Sequence, residues 1–484
     1  MFYREVRKME KASKNAIRNL ILYIVMFALI YVIWHAEPIA PLTTKGMQML
    51  AILAGCIFGW SCIELIGPSM IAILLLGFTE GMTVSGALGA TIGNYVVVFM
   101  LLIALIVQMV EEEGLPKLLV DAVMKMKIVQ GRPALLTAGL LFCAMVLGII
   151  NMFLSIFFMW AIVYEMCGRF GYKRYDPYPT IMCIGIVLMA TMGLIAFPFQ
   201  DNGLIIMGAY TGVVGHQMDY IKYMLFMLPI IFCLIAIWTL VSKYVLRVDF
   251  SKLNDVDYSN LVIEVKPRQK ASIAIVILLV VFLMAQANFK IGVLGAILSK
   301  STLFIVGVSL YILGSLWVVE GKPMMNFREL IKGVPWESWW LTAVVMCLAS
   351  TLTAADTGVS AFCVSILKPL LGGLSPWAFV AVVCVAAFIM TNVCNNIVVT
   401  ICMMPILLSM APVIGYTFEA AVILIILCSH FALFTPAASG PAGLMFSNKD
   451  WVALKDIYTK GAVLLLSCLV FTLTAGYAWA NVIF

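Results

Sequence analysis

From Leu20 to the C-terminus, no polar stretch in this chain is long enough to fold on its own. Apolar segments succeed one another, and the longest polar interval, Arg247 to Lys270, has 24 residues. Charged residues make up 11% of the sequence and hydrophobic ones 64%, whereas a soluble domain carries about 25% charged residues. A water-facing surface cannot be assembled from such material. In lipid each segment must satisfy its own backbone polar groups, which leaves helices. The expectation is an all-α polytopic membrane protein. A soluble enzyme, a nucleic-acid binder and a secreted disulfide scaffold are excluded. The formal charge of +6 lies in short loops rather than on one basic face, so no nucleic-acid partner is expected. The 13 cysteines include no Cys-x-x-Cys pair, and most stand in apolar runs as small buried residues. No His-Glu-x-x-His, phosphate-binding loop or nucleophile elbow is present. The chain reads as a non-enzyme with no organic cofactor.

The N-terminal 18 residues carry six Lys/Arg ahead of an apolar run from Leu20 to Trp34. No small-x-small cleavage site follows, so this is read as an uncleaved first helix rather than a signal peptide. A straight span needs about 20 apolar residues. Several later segments are shorter and come in adjacent pairs, 133–150 with 152–167 and 376–391 with 396–411. Such pairs read as re-entrant hairpins, which survive at membrane depth only inside protein or beside a watery cavity. With the N-terminus cytoplasmic and both hairpins non-crossing, the chain makes about eleven transmembrane helices and ends outside. The inner loops then hold 25 of the 30 Lys/Arg, as the positive-inside rule requires. The expected division is a tail and first helix over 1–46, repeat one over 47–246 with its hairpin at 133–167, a cytoplasmic linker over 247–270, and repeat two over 271–484 with its hairpin at 376–411. The expected location is the plasma membrane.

The two halves share a pattern. Glu113-Gly114, Arg132-Pro133 and Asn151 recur as Thr357-Gly358, Ser375-Pro376 and Asn392, at offsets of 244, 243 and 241 residues. An interrupted apolar helix follows each hairpin, at Phe197-Pro198-Phe199-Gln200-Asp201-Asn202 and at Thr435-Pro436-Ala437-Ala438-Ser439. In the topology above the hairpins open from opposite sides, so the repeats are inverted. Interrupted helices at corresponding places in two halves mark the midplane site of a secondary transporter. Broken helices leave free N–H groups that attract anions and free C=O groups that coordinate cations.

At these residues the sequence resembles the divalent-anion/sodium symporter family, within the wider ion-transporter superfamily. Asn395-Asn396-Ile397, followed by Pro405, occupies the place of that family's Ser-Asn-Thr tip. Thr435-Pro436-Ala437 matches its Thr-Pro-Pro break, and Trp60, Glu64 and Pro68 match an early Trp/Glu/Pro element. The first tip has Leu154-Ser155 for Ser-Asn, and both Thr positions are Ile, Ile156 and Ile397. The resemblance implies a homodimeric, elevator-like carrier in which inward sodium drives uptake of a di- or tricarboxylate. It also implies one sodium site per half. Asn151, Ser155, Gln200, Asp201 and Asn202 would form the first, and Asn392, Asn396, Ala437 and Ser439 the second. Asn151, Ser155, Asn392, Asn395, Asn396, Thr435 and Pro436 would meet a mono- or dicarboxylate. The missing threonines remove hydroxyls that would face it.

Asp201 is the exception among these residues, since a carboxylate at membrane depth is costly and therefore functional by default. It is assigned to cation or proton coupling. Glu64 is assigned to helix packing, and Glu111, Glu112 and Glu113 to the inner membrane edge. Asp356 is assigned to the outer interface, His430 to hydrogen-bonded packing, and Trp336, Trp339 and Trp340 to an interfacial aromatic belt. The rival functions are a proton-coupled carrier or sodium/proton exchanger on the same fold and, from another class, a channel.

Overall fold

The computed structural model describes residues 2–253, 264–288, 303–352, 354–392, 395–435 and 438–484. Helices dominate these, joined by short turns, with a two-stranded hairpin pairing Val318–Val319 with Lys322–Pro323. The helices start where the sequence supplies caps. The side chains of Thr43, Thr83, Asn94, Asp219 and Ser375 each accept a first-turn N–H. Proline stands at the first turn of the helices beginning at Leu115, Pro133, Pro177 and Pro376, where its missing N–H has no consequence. Among the described residues seven helices are long and apolar enough to cross a membrane, with one bent pair at 364–371 and 376–391 and five shorter apolar helices besides. The chain is an all-α polytopic membrane protein.

The first hairpin joins helices Pro133–Ile150 and Met152–Arg169 through Asn151 alone. Asn151 is extended, and its Oδ1 accepts the Leu154 N–H at 3.0 Å. Ser155 Oγ donates to the Ala144 carbonyl at 2.7 Å, which ties the two arms together just below the tip. The second hairpin joins Pro376–Thr391 to Asn396–Ile414. The hydroxyls of Thr391 and Thr400, one on each arm, both reach Ser429.

Each hairpin wraps the helix that follows it. Every residue from Tyr178 to Gly193 is buried, and so is every one from Ala420 to Ser429. A helix apolar on all sides belongs in the middle of a bundle. The first of these approaches its hairpin at backbone distance. A Cβ on Gly148 would lie 2.3 Å from the Ala190 carbonyl oxygen, and one on Gly193 2.5 Å from that of Met145. Both core helices then stop. The first resumes at Asp201–Val214 and the second at Gly440–Ser447. The interruptions fall at the two places that the sequence pattern marks.

Two ion pairs tie distant parts of the chain together in a related manner. Arg268, at the start of helix Pro267–Asn288, meets Glu113 at 2.7 Å, and Lys45, at the start of helix Thr44–Cys62, meets Asp356 at 2.7 Å. Each acidic residue adjoins a chain corner where glycine takes positive φ, Gly114 at 71° and Gly358 at 68°. The Arg268 guanidinium also donates to the Val319 and Lys322 carbonyls. Glu113 and Arg268 are 16% and 20% exposed, whereas Asp356 is 60% exposed. The two pairs are therefore unequal. A double-mutant cycle on Glu113 and Arg268, read by thermal unfolding in detergent, is expected to give a coupling of roughly 1–3 kcal/mol. The same cycle on Lys45 and Asp356 is expected to give at most about 1 kcal/mol. Equal couplings would contradict this.

Candidate functional site

Both hairpin tips and both helix breaks line a single cavity of about 260 Å³. Its walls are largely helix beginnings. Asn151, Met152 and Phe153 start the second arm of the first hairpin, and Asn395, Asn396 and Ile397 start that of the second. Gln200 and Asn202 stand at the first resumed helix, and Ser439, Gly440 and Pro441 at the second. Four helix N-termini thus face one space, each with unpaired N–H groups and the equivalent of roughly half a positive charge. Asn151, Asn395 and Ser439 cap their own helices through Leu154, Ile397 and Ala442. Gln200 caps nothing, and its Nε2 donates to the Ile149 carbonyl at 2.9 Å. That bond holds the first break against the first tip.

The cavity draws in Asn151, Gln200, Asn202, Asn395, Asn396 and Ser439 of the residues singled out in the sequence. Ser155, Asn392 and Thr435 do not line it. Ser155 is fully buried and spent on Ala144. Asn392 Oδ1 accepts the Leu433 and Phe434 N–H groups at 3.1 and 2.7 Å, its Nδ2 donates to the Phe388 carbonyl, and its own carbonyl takes the Thr435 hydroxyl. Asn392 therefore builds the second break rather than facing a solute. The counterpart of Asn151 is Asn395, also an N-cap, at the offset of 244 residues that relates Gly114 to Gly358. Pro436, Ala437 and the side chain of Asp201 lie outside the described residues.

The same cavity includes residues that the sequence assigns elsewhere. Glu111 lines it and accepts a 3.4 Å hydrogen bond from Asn151 Nδ2, so this carboxylate belongs to the site and not to the membrane edge. Gln108, one turn earlier on the same helix face, lines it too, as do Glu337 and Ser338. The signal for the first two was an i,i+3 polar pair on an otherwise apolar helix. Glu337 was hidden among tryptophans read as an interfacial belt. Trp339 of that group turns inward and donates to the Val97 carbonyl at 3.0 Å. Glu64 accepts from the Tyr23 hydroxyl at 3.1 Å and does not line the cavity, although its neighbour Leu65 does. No lysine or arginine is among the described residues that line the site.

A family model for citrate transporters (CitMHS) matches residues 49–429, which include both tips and the first break. The chain belongs to the citrate transporter family. It is thereby a membrane transporter and not an enzyme, in agreement with the symporter resemblance drawn from the tips and breaks. Human solute carrier family 13 member 4 is 24% identical over 163 residues, which are 34% of this chain and 25% of the relative. The chain thus aligns with a quarter of that protein's length. The crystal structure of the Alcanivorax borkumensis YdaH transporter superposes with a TM-score of 0.53 at 12% identity, over 90% of this chain and 97% of that one. At that identity the likeness is one of fold.

Proposed function

We propose that this transporter is a cation-coupled symporter of a small carboxylate, with sodium as the coupling ion and citrate or a related di- or tricarboxylate as cargo. The observation that carries this reading is the meeting of four helix N-termini at a cavity that has, among the described residues, two glutamates and no basic side chain. Helix N-termini bind carboxylates through backbone N–H groups. The glutamates oppose an anion unless cations enter with it. Amide oxygens of Asn151, Gln200, Asn202, Asn395 and Asn396 and the Ser439 hydroxyl are neutral oxygen ligands suited to such an ion. Asp201, Pro436 and Ala437 belong to the same proposal by position in the chain. Ser155, Asn392 and Thr435 are assigned the supporting role of shaping tips and breaks.

Alternating exposure is assigned to an elevator-like movement of tips and breaks together, against the helices joined by the Glu113–Arg268 and Lys45–Asp356 ion pairs. The proposed setting is a plasma-membrane homodimer with the N-terminus cytoplasmic, the C-terminus outside, and the repeats divided at 247–270. The test is uptake of labelled citrate, succinate and malate into proteoliposomes under an inward sodium gradient, with choline as control. Sodium-dependent accumulation of at least one is expected. A second reading, proton coupling, is favoured by Glu111 and Glu337 in the cavity wall, and uptake driven by a pH gradient in choline would select it. No accumulation under either gradient would overturn carboxylate symport. Ligand-dependent stabilisation gives an independent check, since a ligand at a hundred times its Kd adds about 2.7 kcal/mol to unfolding.

A further inference from the structure

His430 stands just after the second core helix, at the head of the second break, and its ring is wholly buried. Its Nδ1 lies 2.7 Å from the Ile426 carbonyl oxygen. A carbonyl oxygen only accepts, so Nδ1 carries a hydrogen. In the neutral ring Nε2 is then bare and accepts. Nε2 lies 3.0 Å from the amide nitrogen of Asn202, which belongs to the first break, 228 residues earlier. The Asn202 N–H therefore donates to the ring, and its Oδ1 is left over. That oxygen has no hydrogen-bond partner among the described residues, and Asn202 lines the cavity. The ring is held in turn by Ser429, whose Oγ lies 3.2 Å from Nδ1 and 2.6 Å from the Thr400 hydroxyl on the second hairpin. A continuous polar chain thus runs from the second tip, through His430, to an amide of the opposite repeat.

We propose that His430 is a positioning residue whose Nδ1–H tautomer fixes the Asn202 amide with its oxygen toward the cavity, giving the first break an oriented oxygen for a cation. The cation rests on the symport reading above, whereas the amide lock does not. An amide is nearly symmetrical in shape, and nothing else in the described surroundings of Asn202 decides which end faces the solute. A reversed amide would offer N–H donors to a cation. The lock also makes the first half-site depend on the second, because the residue that orients one lies in the break of the other.

Two variants separate orientation from packing. In His430→Gln the longer side chain brings an amide oxygen to the place of Nε2, where it still accepts from Asn202. In His430→Asn the shorter amide reaches the place of Nδ1, keeps the Ile426 contact and leaves Asn202 unheld. In proteoliposomes, His430→Asn is expected to raise the sodium concentration for half-maximal citrate uptake about tenfold, the scale seen when an outer partner of a metal ligand is lost. The citrate KM at saturating sodium is expected to change little, and His430→Gln to restore most of the sodium response. The double variant, Asn202→Ala with His430→Asn, should cost no more in total than Asn202→Ala alone. A fall in Vmax without a shift in the sodium response, or full additivity of the two substitutions, would overturn the lock.

A spectroscopic arm is independent of transport. His35 and His216 are exposed, and the chain has three histidines, so His35→Gln with His216→Gln leaves His430 as the sole source of imidazole nitrogen signals. A protonated Nδ1 and a bare Nε2 are expected, with the Nε2 resonance moving in Asn202→Ala. A protonated Nε2 overturns the proposal whatever the transport assay gives. Uptake by the unmodified chain that ignores both sodium and pH overturns the symport reading instead, and the nitrogen spectrum still decides the lock.

Discussion

Asn395→Asp is expected to leave the protein folded and to lower carboxylate uptake about a hundredfold. Aspartate caps a helix as well as asparagine does, so the Ile397 N–H keeps its partner and the second tip keeps its form. What changes is the charge facing the cavity. A fixed carboxylate about 6 Å from a bound one costs about 3 kcal/mol at an effective dielectric of 20, or roughly two decades of affinity. Asn151→Asp should act alike, since it is the N-cap at the other tip, with a further penalty from Glu111 at its amide. The assay is uptake of labelled citrate, beside thermal unfolding to show that the fold is retained. The sign discriminates between functions. A carrier or exchanger of cations alone would gain affinity from an added negative charge, so stronger sodium binding with no carboxylate transport in the unmodified protein would refute the anion reading.

Gly148→Val is the second large effect, and it acts on the fold. The Cβ would stand 2.3 Å from the Ala190 carbonyl oxygen and 2.8 Å from its Cα. Both are backbone atoms of a helix buried on every side, so no flexible side chain can move out of the way. Overpacking of a filled core costs about 1–3 kcal/mol, and contact with backbone lies at the upper end of that range. Gly193→Val meets the same wall from the other side, through Met145 and Gly148. Both variants should unfold at markedly lower temperature in detergent and yield little protein. Gly89→Ala, with open space around its Cβ, serves as the control. An unchanged unfolding temperature in Gly148→Val would mean that this helix pair is not packed as described.

Much of this architecture was legible because membrane solvent leaves few options. Apolar runs without polar company had to be helices, and paired short runs ahead of proline-marked interruptions had to be hairpins and breaks. The repeat was visible in Gly114 with Gly358 and Pro133 with Pro376. Its fine register was not. Matching Asn151 to Asn392 followed residue identity, whereas the capping geometry matches it to Asn395, and Asn392 instead holds the Leu433 and Phe434 N–H groups. Residue type does not reveal whether an amide faces a cavity or closes a backbone gap. Glu111 was misplaced for a related reason. In a run of three glutamates at the end of an apolar helix, helical rotation sends Glu111 to the cavity and Glu113 to Arg268, and sequence alone gives no sign of what each face meets. Five of the six cavity residues expected from the sequence are asparagines or glutamines near tips or breaks of one repeat or the other, where polar side chains stand against the apolar background.

The choice of helix beginnings over lysine or arginine has a consequence for how such a carrier changes over generations. A basic side chain can be lost by one codon change, and selectivity with it. A main-chain amide is present whichever residue occupies the position, proline excepted. On the proposed anion reading, random substitution around this cavity will therefore tune how well a cargo fits while sparing a preference for negative charge, and a new preference will have to come from an added charge rather than a deleted one.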